Sequence, residues 1–198
     1  MSTIKSETKM VYITNTQVQQ FVSVITRQMA IDEWKPDYVV GITRGGLVPA
    51  LMISHYLQVP MKTLDVSLRD NGGLGPESNL WMAEDAFGYV PDEERGDYFA
   101  SEYDCWHPRK AKNILLVDDI NDEGSTLNWI ANDWKSGCLP DHIRWETVWN
   151  ENVRFATLVD NAASKFKHGV DYTALEINKA EDDCWIMFPW EDFWERGE

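Results

Sequence analysis

The order of apolar and polar positions divides the chain into alternating strand and helix signals. Residues 10–14 (MVYIT) predict a short strand, and Asn15 or Thr16 is placed to cap the helix that follows. That helix carries Val18, Phe21, Val22, Ile25 and Met29, the 3.6-residue recurrence of one buried face. Pro36 closes the region. Tyr38-Val39-Val40-Gly41-Ile42 reads as a parallel strand buried on both faces. A tight Thr43-Arg44-Gly45-Gly46 loop leads into a second apolar helix over roughly 47–57, and 62–67 (KTLDVS) alternates as a third strand. Regularity resumes at Asn113–Val117, a strongly apolar strand running into Asp118-Asp119. A loop and a helix over about 124–135 follow, then two β-rich runs, 153–159 (VRFATLV) and 170–177 (VDYTALEI), and a Trp-rich tail. Strand–loop–helix alternation of this kind predicts an α/β fold, a mainly parallel sheet flanked by helices, in one domain spanning 1–198.

The interval 70–110 breaks the pattern. It opens on the turn signal Asn71-Gly72-Gly73, is rich in acids and aromatics, and shows no clear period. An ordinary connection is far shorter, so this segment is expected to be an inserted lid or hood. Charge marks the same place. The net charge of −15 is regional: residues 70–104 hold ten acids and one base, and residues 181–198 hold seven acids and one base. The remaining chain carries sixteen of each and is neutral. Such a chain lacks the basic face that general nucleic-acid binding or attraction to anionic membranes requires. No stretch approaches the length of a membrane span. Three dispersed cysteines, Cys105, Cys138 and Cys184, suggest no disulfide framework, and the four histidines have no zinc-site spacing. A reducing, cytoplasmic setting is expected.

The chemistry concentrates in Ile114-Leu-Leu-Val-Asp118-Asp119-Ile120-Asn121-Asp122-Glu123-Gly124-Ser125-Thr126. An apolar strand delivers two adjacent carboxylates to its C-terminal end, where parallel α/β sheets bind ligands. The following turn opens a helix, so its backbone N–H groups and the Ser125 and Thr126 hydroxyls can receive an anion. Carboxylates suited to a sugar diol or a cation, beside a phosphate cradle, describe a sugar-phosphate site. An apolar strand ending in an acidic pair also opens signalling receiver domains, but there it lies near the start of the domain rather than at 114 of 198 residues.

This run resembles the phosphoribosyl-pyrophosphate signature of the type I phosphoribosyltransferase family. Gly41-Ile-Thr-Arg44-Gly45-Gly46-Leu-Val-Pro49-Ala resembles that family's pyrophosphate loop. The tail Asp183-Cys184-Trp185-Ile186-Met187-Phe188-Pro189-Trp190-Glu191 is similar to the base-binding end of its xanthine-guanine (purine) branch. The resemblance implies Mg²⁺-dependent transfer of a 5-phosphoribosyl group from phosphoribosyl pyrophosphate to a nucleobase, a purine such as hypoxanthine, guanine or xanthine, with release of pyrophosphate. It implies a role for each matching residue. Thr43, Arg44, Gly45, Gly46 and Arg69 would hold pyrophosphate, Arg44 also serving catalysis, and the peptide before Arg44 would be cis. Asp118 and Asp119 would bind the ribose hydroxyls and the metal, with Glu191 near the metal. Asp122, Glu123, Gly124, Ser125 and Thr126 would form the ribose-phosphate loop, with Asp122 managing a proton on the base. Trp185 and the Ile186 backbone would bind the base.

Two positions depart from the family pattern. Glu123 stands where many relatives have threonine, and Asn161 stands where purine enzymes have a lysine that reads the 6-oxo group. Asn161 is therefore the expected third base contact, through an amide that donates but carries no charge. The segment 181–198 is expected to be an acidic base-binding tail, and 70–110 to carry a mobile closing loop. Family members are commonly dimers or tetramers, so a homo-oligomer is expected. The alternative is a non-catalytic sensor of phosphoribosyl pyrophosphate or a nucleotide on the same fold.

Overall fold

The computed structural model describes residues 9–66, 80–88 and 111–191. Five parallel strands form the central sheet in the order β3-β2-β4-β5-β6, with β2 Tyr38–Ile42, β3 Met61–Leu64, β4 Ile114–Asn121, β5 Val153–Asn161 and β6 Tyr172–Ile177. Successive side chains leave opposite faces of a strand. Val40, Ile42, Ile114 and Leu116 therefore enter one core, and Val39, Leu115 and Val117 enter the other. Helices α1 (Asn15–Ile31) and α2 (Leu47–Leu57) cover the second core; α3 (Leu80–Phe87), α4 (Ser125–Gly137) and α5 (Trp145–Val148) cover the first. The apolar strands and helices α1, α2 and α4 follow directly from the hydrophobic pattern; α3 and α5 do not.

Four local differences from the sequence expectations have physical causes. The cap of α1 is Thr14, one residue earlier than expected, because Gln17 completes a capping box: the Thr14 side chain receives the Gln17 N–H at 3.2 Å, and the Gln17 side chain receives the Thr14 N–H at 2.9 Å. Strand β4 continues through Asp118 and Asp119 to Asn121, since β5 supplies ladder partners as far as the Asn121–Asp160 pair. Within 70–110, residues 80–88 are no loose insertion. Met82, Ala83, Ala86 and Phe87 of α3 are fully buried against the sheet. The hood expected there is not confirmed, and its other residues lie outside those described. Finally, the tail forms β7 (Cys184–Met187), which pairs in parallel with β1 (Lys9–Tyr12) as a separate two-stranded sheet.

This small sheet is what fixes the tail. Met10 lies opposite Trp185 and Val11 opposite Ile186, while Cys184, Ile186 and Phe188 enter the α1–α2 core. Alternation then leaves Trp185 on the other side of β7, 43% exposed. Most of the remaining tryptophans that the structure describes are packing: Trp134, Trp145 and Trp149 are buried beneath α3 and β5.

Candidate active site

Strands β2 and β4 are neighbours, yet their chains depart in opposite directions, β2 through α2 to β3 and β4 through α4 to β5. Such a reversal opens a crevice beyond the C-terminal strand ends, the usual ligand position in an open parallel sheet. The loop 43–46 forms one side and residues 118–124 form the other.

The two sides touch. A Cβ added to Gly45 would fall 2.0 Å from Asp119 Oδ2, and one on Gly46 would fall 2.1 Å from the Val117 carbonyl oxygen. Only glycine lets the loop backbone lie this close to β4. The Thr43–Arg44 peptide is cis, as the family resemblance implies. Thr43 donates its hydroxyl to Asp65 Oδ1 at 2.6 Å, while Arg44 is exposed and forms no ion pair with the described residues.

Both helices that start at this crevice lack a capping side chain, but α2 is the less open of the two: the Gly46 N–H goes to the Ile42 carbonyl at 2.9 Å, the Leu47 N–H to the Arg44 carbonyl at 3.3 Å, and Pro49 has none. Gly46 precedes α2 and Gly124 precedes α4, and neither supplies a side-chain cap. Gly124 takes φ 82°, a left-handed conformation, with Phe166 N only 2.4 Å from where a Cβ would stand. First-turn N–H groups left without caps, at the positive end of a helix dipole, are anion receptors. Ser125 is exposed and Thr126 partly so, placing hydroxyl donors at the second of these ends. Glu123 is exposed too.

Between the two helix ends stands the acidic pair. Burial drives the Asp118 carboxyl well above the ordinary carboxylate range, and the neighbouring Asp119 charge adds to this, although the Asp119 N–H donates to Asp118 Oδ1 at 3.0 Å. Burial likewise raises Asp119 to about 6. The Trp190 indole N–H, 3.2 Å from Asp119 Oδ2, opposes that rise, and the Glu191 charge reinforces it. Trp190 is itself held by Phe188, ring on ring at 5.1 Å and 3°. Glu191 folds back to accept the Phe188 N–H at 2.9 Å.

Asp118 and Asp119 are the residues that could hold a metal. No group of three or more His, Cys, Asp or Glu side chains is assembled for a cation among the described residues. The Asp118–Asp119 pair is a donor set of the size Mg²⁺ uses, one or two carboxylates with the rest of the shell completed by water and substrate oxygens.

A second cluster lies beside the pair. Asp122 Oδ2 accepts the Lys179 ammonium at 2.9 Å, and Lys179 Nζ lies 5.8 Å from the centre of the Trp185 ring. Asn161 is buried beneath them, its Nδ2 donating to the Asp122 carbonyl at 3.0 Å and its Oδ1 accepting the Lys179 N–H at 3.0 Å and the Ala163 N–H at 3.2 Å. The structure thus brings Asp122, Trp185 and the tail together, but it places Asn161 as an internal clamp with both amide ends engaged. Ile186 is buried, on the strand paired with β1. Arg69 lies outside the described residues. Three contributors escaped the sequence patterns: Asp65, which positions Thr43; the Trp190 indole as donor to Asp119; and Lys179. Trp190 belonged to a quoted motif, but Lys179 is a lone base just ahead of Glu181-Asp182-Asp183 and had no signal.

A switch-point crevice holding an acidic pair between two uncapped helix ends defines a sugar-phosphate site on an α/β sheet. Comparison with known proteins makes the class specific. The chain belongs to the phosphoribosyltransferase family, whose phosphoribosyl transferase domain matches residues 15–191, and it is an enzyme of this class. It is 29% identical over 156 residues to the xanthine-guanine phosphoribosyltransferase of Cereibacter sphaeroides, covering 77% of this chain and 68% of that protein. It is 22% identical over 181 residues to the hypoxanthine-guanine phosphoribosyltransferase of Schizosaccharomyces pombe, covering 81% and 79%. In fold it resembles the crystal structure of a purine phosphoribosyltransferase from Pyrococcus horikoshii, with TM-score 0.57, 22% identity and coverage of 93% and 95%.

Proposed function

We propose that this enzyme transfers the 5-phosphoribosyl group of phosphoribosyl pyrophosphate to a 6-oxopurine (hypoxanthine, guanine or xanthine), with Mg²⁺, and releases pyrophosphate. The observation that carries the reading is the Asp118–Asp119 pair standing beside the uncapped N-termini of α2 and α4, the second of which has its first-turn amides free of backbone partners among the described residues. The pairing of two anion receptors with two carboxylates matches a sugar bearing a phosphate at each end and hydroxyls between them. Its relatives' names point to the same bases.

As the bond from C1 to pyrophosphate breaks, negative charge grows on the leaving group and positive charge on the ribose. Arg44 and the Gly45 amide meet the first, as preorganised electrostatic stabilisation, whereas the Gly46 N–H is already given to the Ile42 carbonyl at 2.9 Å. Asp118 and Asp119 accept the ribose hydroxyls and lie on the positive side. The amides opening α4, with Ser125 and Thr126, receive the 5-phosphate. Trp185 stacks on the base, the Ile186 backbone reads its edge, and Asp122 accepts a proton from its imidazole nitrogen. Mg²⁺ bound through Asp118 and Asp119 would supply positive charge to the pyrophosphate oxygens. Glu191, adjacent to Asp119 in charge, is proposed to lie near that metal.

The proposal includes a cytoplasmic enzyme that works as a homo-oligomer, dimer or tetramer. Exposed Val48, Leu51 and Tyr56 on the otherwise apolar α2 support self-association. No described helix is long and apolar enough to cross a membrane.

The test is purified protein with Mg²⁺, phosphoribosyl pyrophosphate and each nucleobase, following pyrophosphate release. Turnover is expected with hypoxanthine, guanine or xanthine; none with all three refutes the purine assignment. Asp122→Asn should lose turnover and keep phosphoribosyl pyrophosphate binding.

A further inference from the structure

Lys179 is on the loop between β6 and β7, next to three acidic residues that could pair with it in solvent. It does not take them. Its side chain turns inward until only 15% is exposed, and its ammonium meets Asp122 at 2.9 Å. Lysines are seldom buried to this degree unless a partner holds them. The holding is backbone-deep: Asn161 accepts the Lys179 N–H through Oδ1 and donates to the Asp122 carbonyl through Nδ2, so one buried amide fixes both members of the pair. The Asp122 side lies on the loop after β4, and the exposed Trp185 ring stands 5.8 Å from the same ammonium. A donor and an acceptor are therefore set side by side, next to an aromatic platform.

That arrangement has a defined complement. The imidazole edge of a 6-oxopurine carries an exocyclic oxygen, an acceptor, beside ring nitrogen N7. With the base stacked on Trp185 and its N7 edge turned to Asp122, the exocyclic oxygen falls to Lys179. An ammonium has three donors, so it reaches that oxygen while keeping Asp122. A 6-aminopurine presents an amino donor at that place, so donor meets donor and the amino group is left without an acceptor. Asn161, where the family pattern puts the base contact, has no free amide end to offer.

We propose that Lys179, brought from the β6–β7 loop and held by Asn161, is the residue that selects a 6-oxopurine over a 6-aminopurine at the Asp122–Trp185 site. The proposal rests on the purine reading above, and binding separates it from catalysis. Inosine 5′-monophosphate and adenosine 5′-monophosphate are titrated calorimetrically into wild type and into Lys179→Met, which keeps the apolar stem. Wild type is expected to favour the inosine nucleotide at least about tenfold. Lys179→Met should weaken it by about 10- to 100-fold, as loss of one charged hydrogen bond implies, and change the adenosine nucleotide by less than about threefold. Lys179→Arg should retain most of the preference. Lys179→Ala is run in parallel, so that either variant that melts cooperatively decides the question.

Equal affinity for both nucleotides in wild type, or an unchanged ratio in a folded variant, overturns the proposal. If no base gives pyrophosphate release while the ratio still collapses, the reaction assignment fails and the role of Lys179 stands. If 6-oxopurines turn over and the ratio stays, the reaction stands and Lys179 is merely structural.

Discussion

Asp119 offers a measurement in which stability and function pull apart. Its carboxyl is raised from 3.8 to about 6, first by burial. In the folded state it therefore holds its proton to higher pH than in the unfolded chain. Between about pH 4 and 6 the native state binds more protons, so this group's contribution falls as pH rises through that window and stays low above it. A displacement of about two pH units corresponds to about 3 kcal/mol of destabilisation at pH 7.5. Replacing Asp119 with Asn removes the ionisation while keeping an oxygen for the Trp190 indole. The ligand-free, metal-free variant should gain about 3 kcal/mol at pH 7.5 and roughly half of that at pH 5. For a chain of this size the larger figure is an increase in Tm of about 6–12 °C. The assay is calorimetric melting of both proteins at the two pH values, with pyrophosphate release measured alongside and expected to be lost in the variant. An equal gain at both pH values, or none at pH 7.5, would show that Asp119 is not held in strain by its burial.

Other predictions test neighbouring parts of the same construction. Gly46→Ala drives a Cβ against the Val117 carbonyl, a backbone atom of β4 that cannot swing aside, and should cost about 3 kcal/mol or more in denaturant unfolding. Gly45→Ala meets instead the movable carboxylate of Asp119; it should lower activity more than 100-fold, in the range seen for lost preorganised groups, with the smaller loss of stability of the two. Trp190→Phe keeps the stack on Phe188 but removes the donor that lowers the Asp119 pKa, so the acid limb of the kcat/KM profile should move to higher pH. Arg44→Ala removes an exposed side chain, and should reduce kcat by about 100- to 1000-fold while Tm stays within 1–2 °C, by analogy with loss of one charge-stabilising donor.

How much of this was legible in the sequence depends on how local each signal is. Helices α1 and α2 and strands β2 and β4 follow from periodicity, because each buries a continuous apolar face. Thr14 and Gln17 carry a capping-box signal at the correct spacing, yet Asn15 and Thr16, equally good caps in isolation, obscure it. Helix α3 was hidden by length: eight residues within an acidic, Gly-rich interval give two turns, too few to establish a period. Strand β7 needs β1, 172 or more residues away in sequence, to complete its hydrogen bonds, and no local pattern announces that pairing. The acid pair, the glycine loop and Trp185 are contiguous motifs and could be found. Asp65 meets Thr43 only once β3 lies beside β2, and Lys179 and the clamp made by Asn161 come together only once β4, β5 and the β6–β7 loop do.

The placement of charge explains why the site is built from backbone as much as from side chains. A polyanionic substrate has to approach Asp118, Asp119 and Asp122 in a chain of net charge −15. Side-chain cations in the described site are few: Arg44 at the mouth, and Lys179 already committed to Asp122. On the proposed reading the positive ends of the helices would supply the attraction instead, α4 more than α2, because glycine and not a capping side chain precedes each of them. Burial raises the Asp118 carboxyl above the ordinary carboxylate range and Asp119 to about 6, so the crevice sheds negative charge as the pH falls through that value. In the proposed complex carboxylates would face hydroxyls and amides phosphates, and the close approach of Gly45 to Asp119 would set the spacing between the two.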